Sequence, residues 1–235
     1  VSILEQVGSI RDFTPKLNLL LYGEPGAGKT VWAADSPKPI LIDTEQGSLS
    51  LKNHPALGEA QVLVIDKPTD VWELKSELWQ GSLEDRETII IDTLTSLRQS
   101  VLDAQMKKVV TQNPNRNENQ PSQGEYTENN QILKKLVTEL RDLDKHLILV
   151  AHDIEEKDER TGATFVRPDL SPRFYSFVKG AVSVMGYMTA KEEGGEIKRY
   201  LQVHPTNRVA AKNRLNLEVV DSYTFDGLLS ELASD

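Results

Sequence analysis

One octapeptide restricts this chain to a small set of folds. Gly23-Glu24-Pro25-Gly26-Ala27-Gly28-Lys29-Thr30 has the spacing G-x-x-x-x-G-K-[ST], in which glycines let successive backbone N–H groups turn inward on a polyphosphate. Leu17-Asn18-Leu19-Leu20-Leu21-Tyr22 before it reads as a buried strand, and Val31-Trp32-Ala33-Ala34 after it continues as a helix. Strand, glycine loop and helix start in that order suit phosphate binding, because the helix N-terminus adds positive potential. The whole run from Gly23 to Thr30 is therefore expected to hold ATP. Lys29 would neutralise the β- and γ-phosphates and Thr30 would ligate Mg²⁺.

The rest of the pattern extends this beginning into an α/β fold, a mostly parallel central sheet with helices on both faces. Apolar runs at Pro39–Asp43, Gln61–Asp66, Thr88–Asp92 and Leu147–Ala151 read as strands, with Thr88-Ile89-Ile90-Ile91-Asp92 central because it is so β-branched. Val71, Leu74 and Leu78, flanked by Trp72 and Trp79, mark one helical face, and Ile132, Leu133, Leu136, Val137, Leu140 and Leu143 mark a stronger one. Later strands are expected at 181–188 and 199–204, and a closing helix at 224–232. Two segments break the rhythm: residues 111–130, rich in Asn, Gln, Glu and Pro, and residues 153–179, rich in charge. Both are expected to be mobile loops near the ligand, the second with a small hairpin around Thr161-Gly162. The expected division is an N-terminal segment, 1–16, and one ATPase core, 17–235.

Composition narrows the function classes. The chain has 235 residues, no cysteine and a net charge of −9. Disulfides and thiolate metal sites are excluded. No apolar run approaches the roughly 18 residues of a membrane span, and no secretory signal is visible, so a cytoplasmic location is expected. The acidic balance means that any contact with nucleic acid must use a local basic face.

A phosphate loop says only that a nucleoside triphosphate binds. Asp92, after four β-formers, has the place of the Walker B carboxylate that holds Mg²⁺ across from Thr30. The position after it, where many such ATPases carry a catalytic Glu, is Thr93. The candidate base is instead Glu45 in Ile42-Asp43-Thr44-Glu45, at the end of the strand after the first helix, where strand C-termini converge on ligand. A polar residue, His152, ends the run Leu147-Ile148-Leu149-Val150-Ala151.

Glu45 in LIDTE, Asp92 in TIIIDTLTSL and His152 in LILVAH reproduce the order of the RecA/RadA ATPase core, and the chain resembles that family. The resemblance implies that Glu45 is catalytic and that His152 senses the γ-phosphate and controls a following DNA-binding loop. Ala210-Ala211-Lys212-Asn213-Arg214 resembles the cation pair that RecA-like and KaiC-like subunits insert into a neighbour's ATP site, which makes Lys212 and Arg214 candidate trans residues, with Arg208 beside them. LLLYGEPGAGKT, RPDLSP (Arg167–Pro172) and the segment from His204 to Arg214 are most similar to compact phage RecA-like proteins of the Sak single-strand annealing group.

That likeness implies ATP-dependent binding of single-stranded DNA, with annealing or strand exchange in recombination. The implied partners are the DNA, further copies of the chain with ATP sites at subunit interfaces, and a single-strand binding protein. The DNA-binding candidates are Lys107 and Lys108, with Arg116, around the first long segment, and Lys157, Arg160, Arg167, Arg173 and Lys179 in the second, where Phe174, Tyr175 and Phe177 interleave. Two other readings share the core: an ATP-driven regulatory switch or partner-loading ATPase without DNA contact, favoured by the acidic total, and a ring motor of the replicative helicase type.

Overall fold

The computed structural model describes residues 16–51, 60–65, 67–82, 84–157, 159, 162–217 and 224–232. The expectations for residues 1–15, Asp66, Arg160 and Thr161, and for the side chain of Val71, lie outside them. The chain runs β1 (Asn18–Tyr22), α1 (Lys29–Ala34), β2 (Pro39–Asp43), β3 (Gln61–Val64), α2 (Pro68–Trp79), β4 (Thr88–Asp92), α3 (Leu94–Gln112), α4 (Gln123–Arg141), β5 (His146–Ala151), β6 (Asp153–Lys157), β7 (Thr164–Pro168), α5 (Pro172–Ala181), β8 (Val184–Glu193), β9 (Glu196–Gln202), β10 (Lys212–Asn213) and α6 (Phe225–Leu232).

Strand alternation decides the architecture. On β1, Leu20 and Tyr22 face one side and Leu19 and Leu21 the other; Ile89 and Ile91 against Ile90 do the same on β4. With both faces apolar, the sheet must be covered twice. The side with Leu20 and Ile91 packs on α2, α3, α4 and α5, and the side with Leu21 and Ile90 packs on α1, α6 and the inner residues of β9. The main sheet has the order β10-β8-β1-β5-β4-β2-β3, with β9 paired to β8, and all pairs from β8 to β3 along it are parallel. Register then places the site. Tyr22 pairs with Ala151 and Tyr187, and Asp43 with Asp92, so Gly23, Thr44, Thr93 and His152 all leave the sheet at the C-terminal ends of its strands.

The two expected loops are largely ordered elements. α4 begins at Gln123, so only 113–122 connects α3 to α4. The reason is a capping box, Ser122-x-x-Glu125: Ser122 Oγ accepts the Gly124 N–H at 3.2 Å and Glu125 accepts the Ser122 N–H at 2.6 Å. Arg116 pairs with Glu125 at 3.2 Å, and Asn129 donates to the Arg98 carbonyl at 3.1 Å, closing an αα-hairpin. Segment 153–179 is the hairpin β6–β7 followed by α5. Val166 anchors that hairpin, donating its N–H to the Arg208 carbonyl at 2.7 Å and accepting from the Ala210 N–H at 2.9 Å. α5 starts at Pro172 and buries Phe174 and Val178 one turn apart. The late strands are shifted: Ala181 ends α5 rather than opening a strand, and β9 begins at Glu196.

Candidate active site

The loop between β1 and α1 is shaped by its glycines. Gly28 has φ 97°, where a side chain is strained, and its carbonyl accepts the Trp32 N–H at 2.9 Å to open α1. A Cβ on Gly26, at φ 82°, would meet nothing within 4 Å, so that side of the loop is open. Lys29 is buried; its ammonium donates to the carbonyls of Gly23 at 2.6 Å and Glu24 at 2.8 Å. Burial pushes its pKa down, against the pull of Asp92, Asp153 and Glu45. An anion in the cradle would give this ammonium a better partner than neutral carbonyls.

Thr30 and Asp92 meet as the spacing predicts. Thr30 Oγ1 donates to Asp92 Oδ2 at 2.6 Å. Burial raises the Asp92 pKa, the Thr30 hydroxyl lowers it, and neighbouring Glu45 and Asp43 raise it further. Three carboxylates gathered at one place, Asp92, Glu45 and Asp43, suit a cation. Among the described residues no cluster of three His, Asp or Glu side chains could hold a metal unaided. One hydroxyl and one carboxylate fit Mg²⁺, which takes its remaining oxygens from phosphate and water.

Glu45 is presented by a loop that Asp43 ties down. Asp43, buried at the end of β2, accepts the N–H groups of Glu45 at 3.0 Å and Gly47 at 3.2 Å on Oδ1 and that of Ser48 at 2.9 Å on Oδ2. Thr44 Oγ1 accepts the Thr93 N–H at 2.9 Å, fastening the loop to the start of α3. Three donors then converge on Glu45 Oε1: Thr93 Oγ1 at 2.7 Å, His152 Nε2 at 2.7 Å and Ser96 Oγ. Burial alone would raise the Glu45 carboxyl; the hydrogen bonds from Ser96, Thr93 and His152 outweigh it and hold the group below the usual glutamate range. The backbone of His152 is tied outward. Its carbonyl accepts the Asp169 N–H at 2.9 Å, its N–H donates to Thr95 Oγ1 at 3.2 Å, and Thr95 donates to the Asp169 carbonyl at 3.3 Å.

A family model described as an AAA domain matches residues 15–215. The chain belongs to that AAA-domain family. The match spans the glycine loop, Glu45, Asp92 and His152. No curated protein matches the chain. Among solved structures, a KaiC-like protein from the hyperthermophilic archaeon Pyrococcus horikoshii OT3 is similar, with 14% identity, 79% of this chain and 76% of that one covered, and a TM-score of 0.44. The AAA-domain chain is a P-loop ATPase built on a mostly parallel α/β sheet. Among the described residues no helix is long and apolar enough to cross a membrane.

The remaining candidates of this AAA-domain chain divide. Lys212 does not reach outward: its ammonium caps α5 of its own chain, on the carbonyls of Lys179, Gly180 and Val182. Helix C-termini carry unsatisfied carbonyls, and a nearby lysine takes them. Arg214 is exposed, its N–H held by the Ser183 carbonyl at 3.1 Å. Arg167 is also turned inward. It pairs with Glu156, donates to the carbonyls of Pro168 at 3.0 Å and Leu170 at 2.9 Å, and lies 5.7 Å over the Tyr175 ring. Phe174 is fully buried and stacked on Phe177 at 6.2 Å, so these rings do not form a surface for bases. Lys107 and Lys108 on α3, Arg173 and Lys179 on α5, and Arg208 are exposed. Asp43, Thr93 and Ser96 had not been expected in the site. The cue was local: Asp43 opens D-x-x-x-G, and Thr93 opens T-x-x-S as the N-cap of α3.

Proposed function

We propose that this protein hydrolyses ATP with Mg²⁺ and uses the cycle to bind single-stranded DNA and promote annealing or strand exchange. The observation that carries the reading is the path Glu45–His152–Asp169, which joins the candidate water-activating carboxylate to the base of the β6–β7 hairpin. Glu45, held ionised with Oε1 fixed by three donors, orients a water through its second oxygen and takes its proton. Lys29 leaves the loop carbonyls for the phosphates, and Mg²⁺, held near Thr30 and Asp92, would offset charge on the transferring group. His152 reports the charge state around Glu45 to the hairpin.

Support for DNA contact comes from a cleft of about 480 Å³ lined by Arg98, Gln123, Tyr126, Asn130, Ser171, Pro172 and Arg173. Arg98 Nε is buried there and has no hydrogen-bond partner among the described residues, while Tyr126 is 41% exposed. Guanidinium donors and an accessible ring are what phosphate and base require. With a labelled single-stranded oligonucleotide, anisotropy should rise in the presence of ATP and Mg²⁺ and fall steeply with salt. Arg173→Glu should lower affinity about tenfold or more and flatten the salt slope by roughly one unit, with basal hydrolysis intact. Arg167→Glu should instead lower stability, since its guanidinium is spent inside the chain. No DNA binding at low salt with ATP would favour an ATP-driven regulatory switch, a reading the net charge of −9 and the internally paired Arg167 support.

Assembly is part of the proposal. β3 and β10 are opposite edges of the sheet. At one edge Val62 and Val64 of β3 are 45% and 43% exposed, an apolar strip a second copy would cover; at the other lies Arg214. Opposite edges make a head-to-tail contact. If Arg214 completes a neighbour's site, mixing Arg214→Ala with Lys29→Ala subunits should give more hydrolysis than the two separately. Co-assembly with no gain would count against the trans role.

A further inference from the structure

The β8–β9 hairpin closes over the phosphate loop: β8 backbone leaves no room for a side chain at Gly23, and the Arg199 side chain of β9 lies against Gly28. A Cβ on Gly23 would overlap the Met188 carbonyl oxygen of β8. A Cβ on Gly28 would overlap Arg199 Nε of β9 and lie 2.7 Å from Arg199 Cδ. The placement of Arg199 follows from strand alternation. Leu201 and Val203 are buried in the same core cluster as Ala27 of the loop, and Arg199, two residues before Leu201, projects from the same side of β9 at the point where the core ends and the loop begins. Its stem lies on the glycine backbone and its side chain is exposed beyond it. Among the described residues no hydrogen bond or ion pair is made by its guanidinium, and Lys29, the loop's own cation, is turned onto carbonyls.

A planar, permanently charged fork with no partner among the described residues, set against a glycine of the phosphate loop, is a binding group for phosphates. We infer that Arg199 is a nucleotide-binding residue supplied in cis, pairing with the α- and β-phosphates of a nucleoside di- or triphosphate. The inference rests on the reading of the glycine loop as the ATP site. It separates two arginines: Arg199 acts within one chain, whereas Arg214, proposed above, acts only between chains.

The test is equilibrium titration of fluorescent ADP and ATP analogues with Mg²⁺, at protein concentrations that keep the chain unassembled. Arg199→Ala should weaken both nucleotides about 10- to 100-fold, the range of a lost charge-assisted pair. Arg199→Met keeps the aliphatic stem over Gly28 but no charge and should bind as poorly as the Ala variant, whereas Arg199→Lys should recover part of the loss. Nucleotide-free urea midpoints should match the unmutated chain. Binding of ADP by Arg199→Met as tight as by the unmutated chain would overturn the inference, because the role would then be packing alone. Lys29→Ala separates the layers: if it loses ATP while Arg199→Ala does not, only this inference falls. If Lys29→Ala binds both nucleotides normally, the reading of the site falls and the inference with it.

Discussion

Lys29→Ala should leave a folded protein whose melting temperature no longer responds to nucleotide. Lys29 is buried, its pKa pushed down by desolvation, and among the described residues its hydrogen-bond acceptors are the carbonyls of Gly23 and Glu24. That is an uncomfortable place for an ammonium, so removing it should not destabilise the empty protein and is as apt to raise its melting temperature slightly. The unmutated chain gains stability from whatever binds the native state. At a nucleotide concentration 100 times Kd the gain is about 2.7 kcal/mol, or roughly 5–10 °C for a domain of this size. Losing the buried cation of the cradle should weaken ATP binding by about two orders of magnitude or more, on the scale of a broken buried pair, and so remove most of that rise. Thermal unfolding with and without millimolar Mg-ATP measures it. A Lys29→Ala protein with the full nucleotide-dependent rise would remove the phosphate-loop assignment.

How much of this was legible in the sequence depends on the range of the forces involved. The glycine loop, the central strands and the order Glu45, Asp92, His152 could be read because each rests on a short pattern: positive-φ glycines, β-branched runs, a polar residue where a strand stops. Parallel register did the rest, since pairing Asp43 with Asp92 and Tyr22 with Ala151 brings those strand ends together. The misreadings have one cause. Residues 111–130 looked too polar to fold, yet α4 starts at Gln123 because Ser122 and Glu125 cap it and Asn129 is satisfied by the Arg98 carbonyl. Arg167 and Lys212 looked like cations for a ligand, yet each found acceptors nearer at hand, Glu156 for one and the C-terminus of α5 for the other. Composition counts charges; it does not say which are already paired by tertiary contacts. Arg199 is the reverse case: nothing local marks it, and only the packing of β9 on Gly28 brings it to the site.

Glu45→Gln should bind ATP as tightly as the unmutated protein and hydrolyse it about 10²- to 10⁴-fold more slowly, the usual contribution of a positioned general base. The rival carboxylates are otherwise engaged. Asp92 is buried, with its pKa raised by that burial, and it accepts the Thr30 hydroxyl; Asp43 spends both oxygens on the N–H groups of Glu45, Gly47 and Ser48. Glu45 alone is a partly exposed carboxylate that desolvation would raise but three hydrogen bonds hold ionised. The Gln amide preserves its size and can still accept from Thr93 and Ser96, so the loop should keep its shape. It cannot take a proton, and it gives His152 a neutral acceptor in place of an anion. The variant should therefore stall with ATP bound and with the β6–β7 hairpin held in its ATP-bound arrangement. Under the DNA reading that means DNA retention prolonged rather than lost. Single-turnover hydrolysis beside equilibrium ATP binding measures the first effect, and the dissociation rate of a labelled oligonucleotide the second. Hydrolysis at the unmutated rate would exclude Glu45 as the base; slow hydrolysis with rapid DNA release would leave Glu45 catalytic and break its proposed link through His152 to the hairpin.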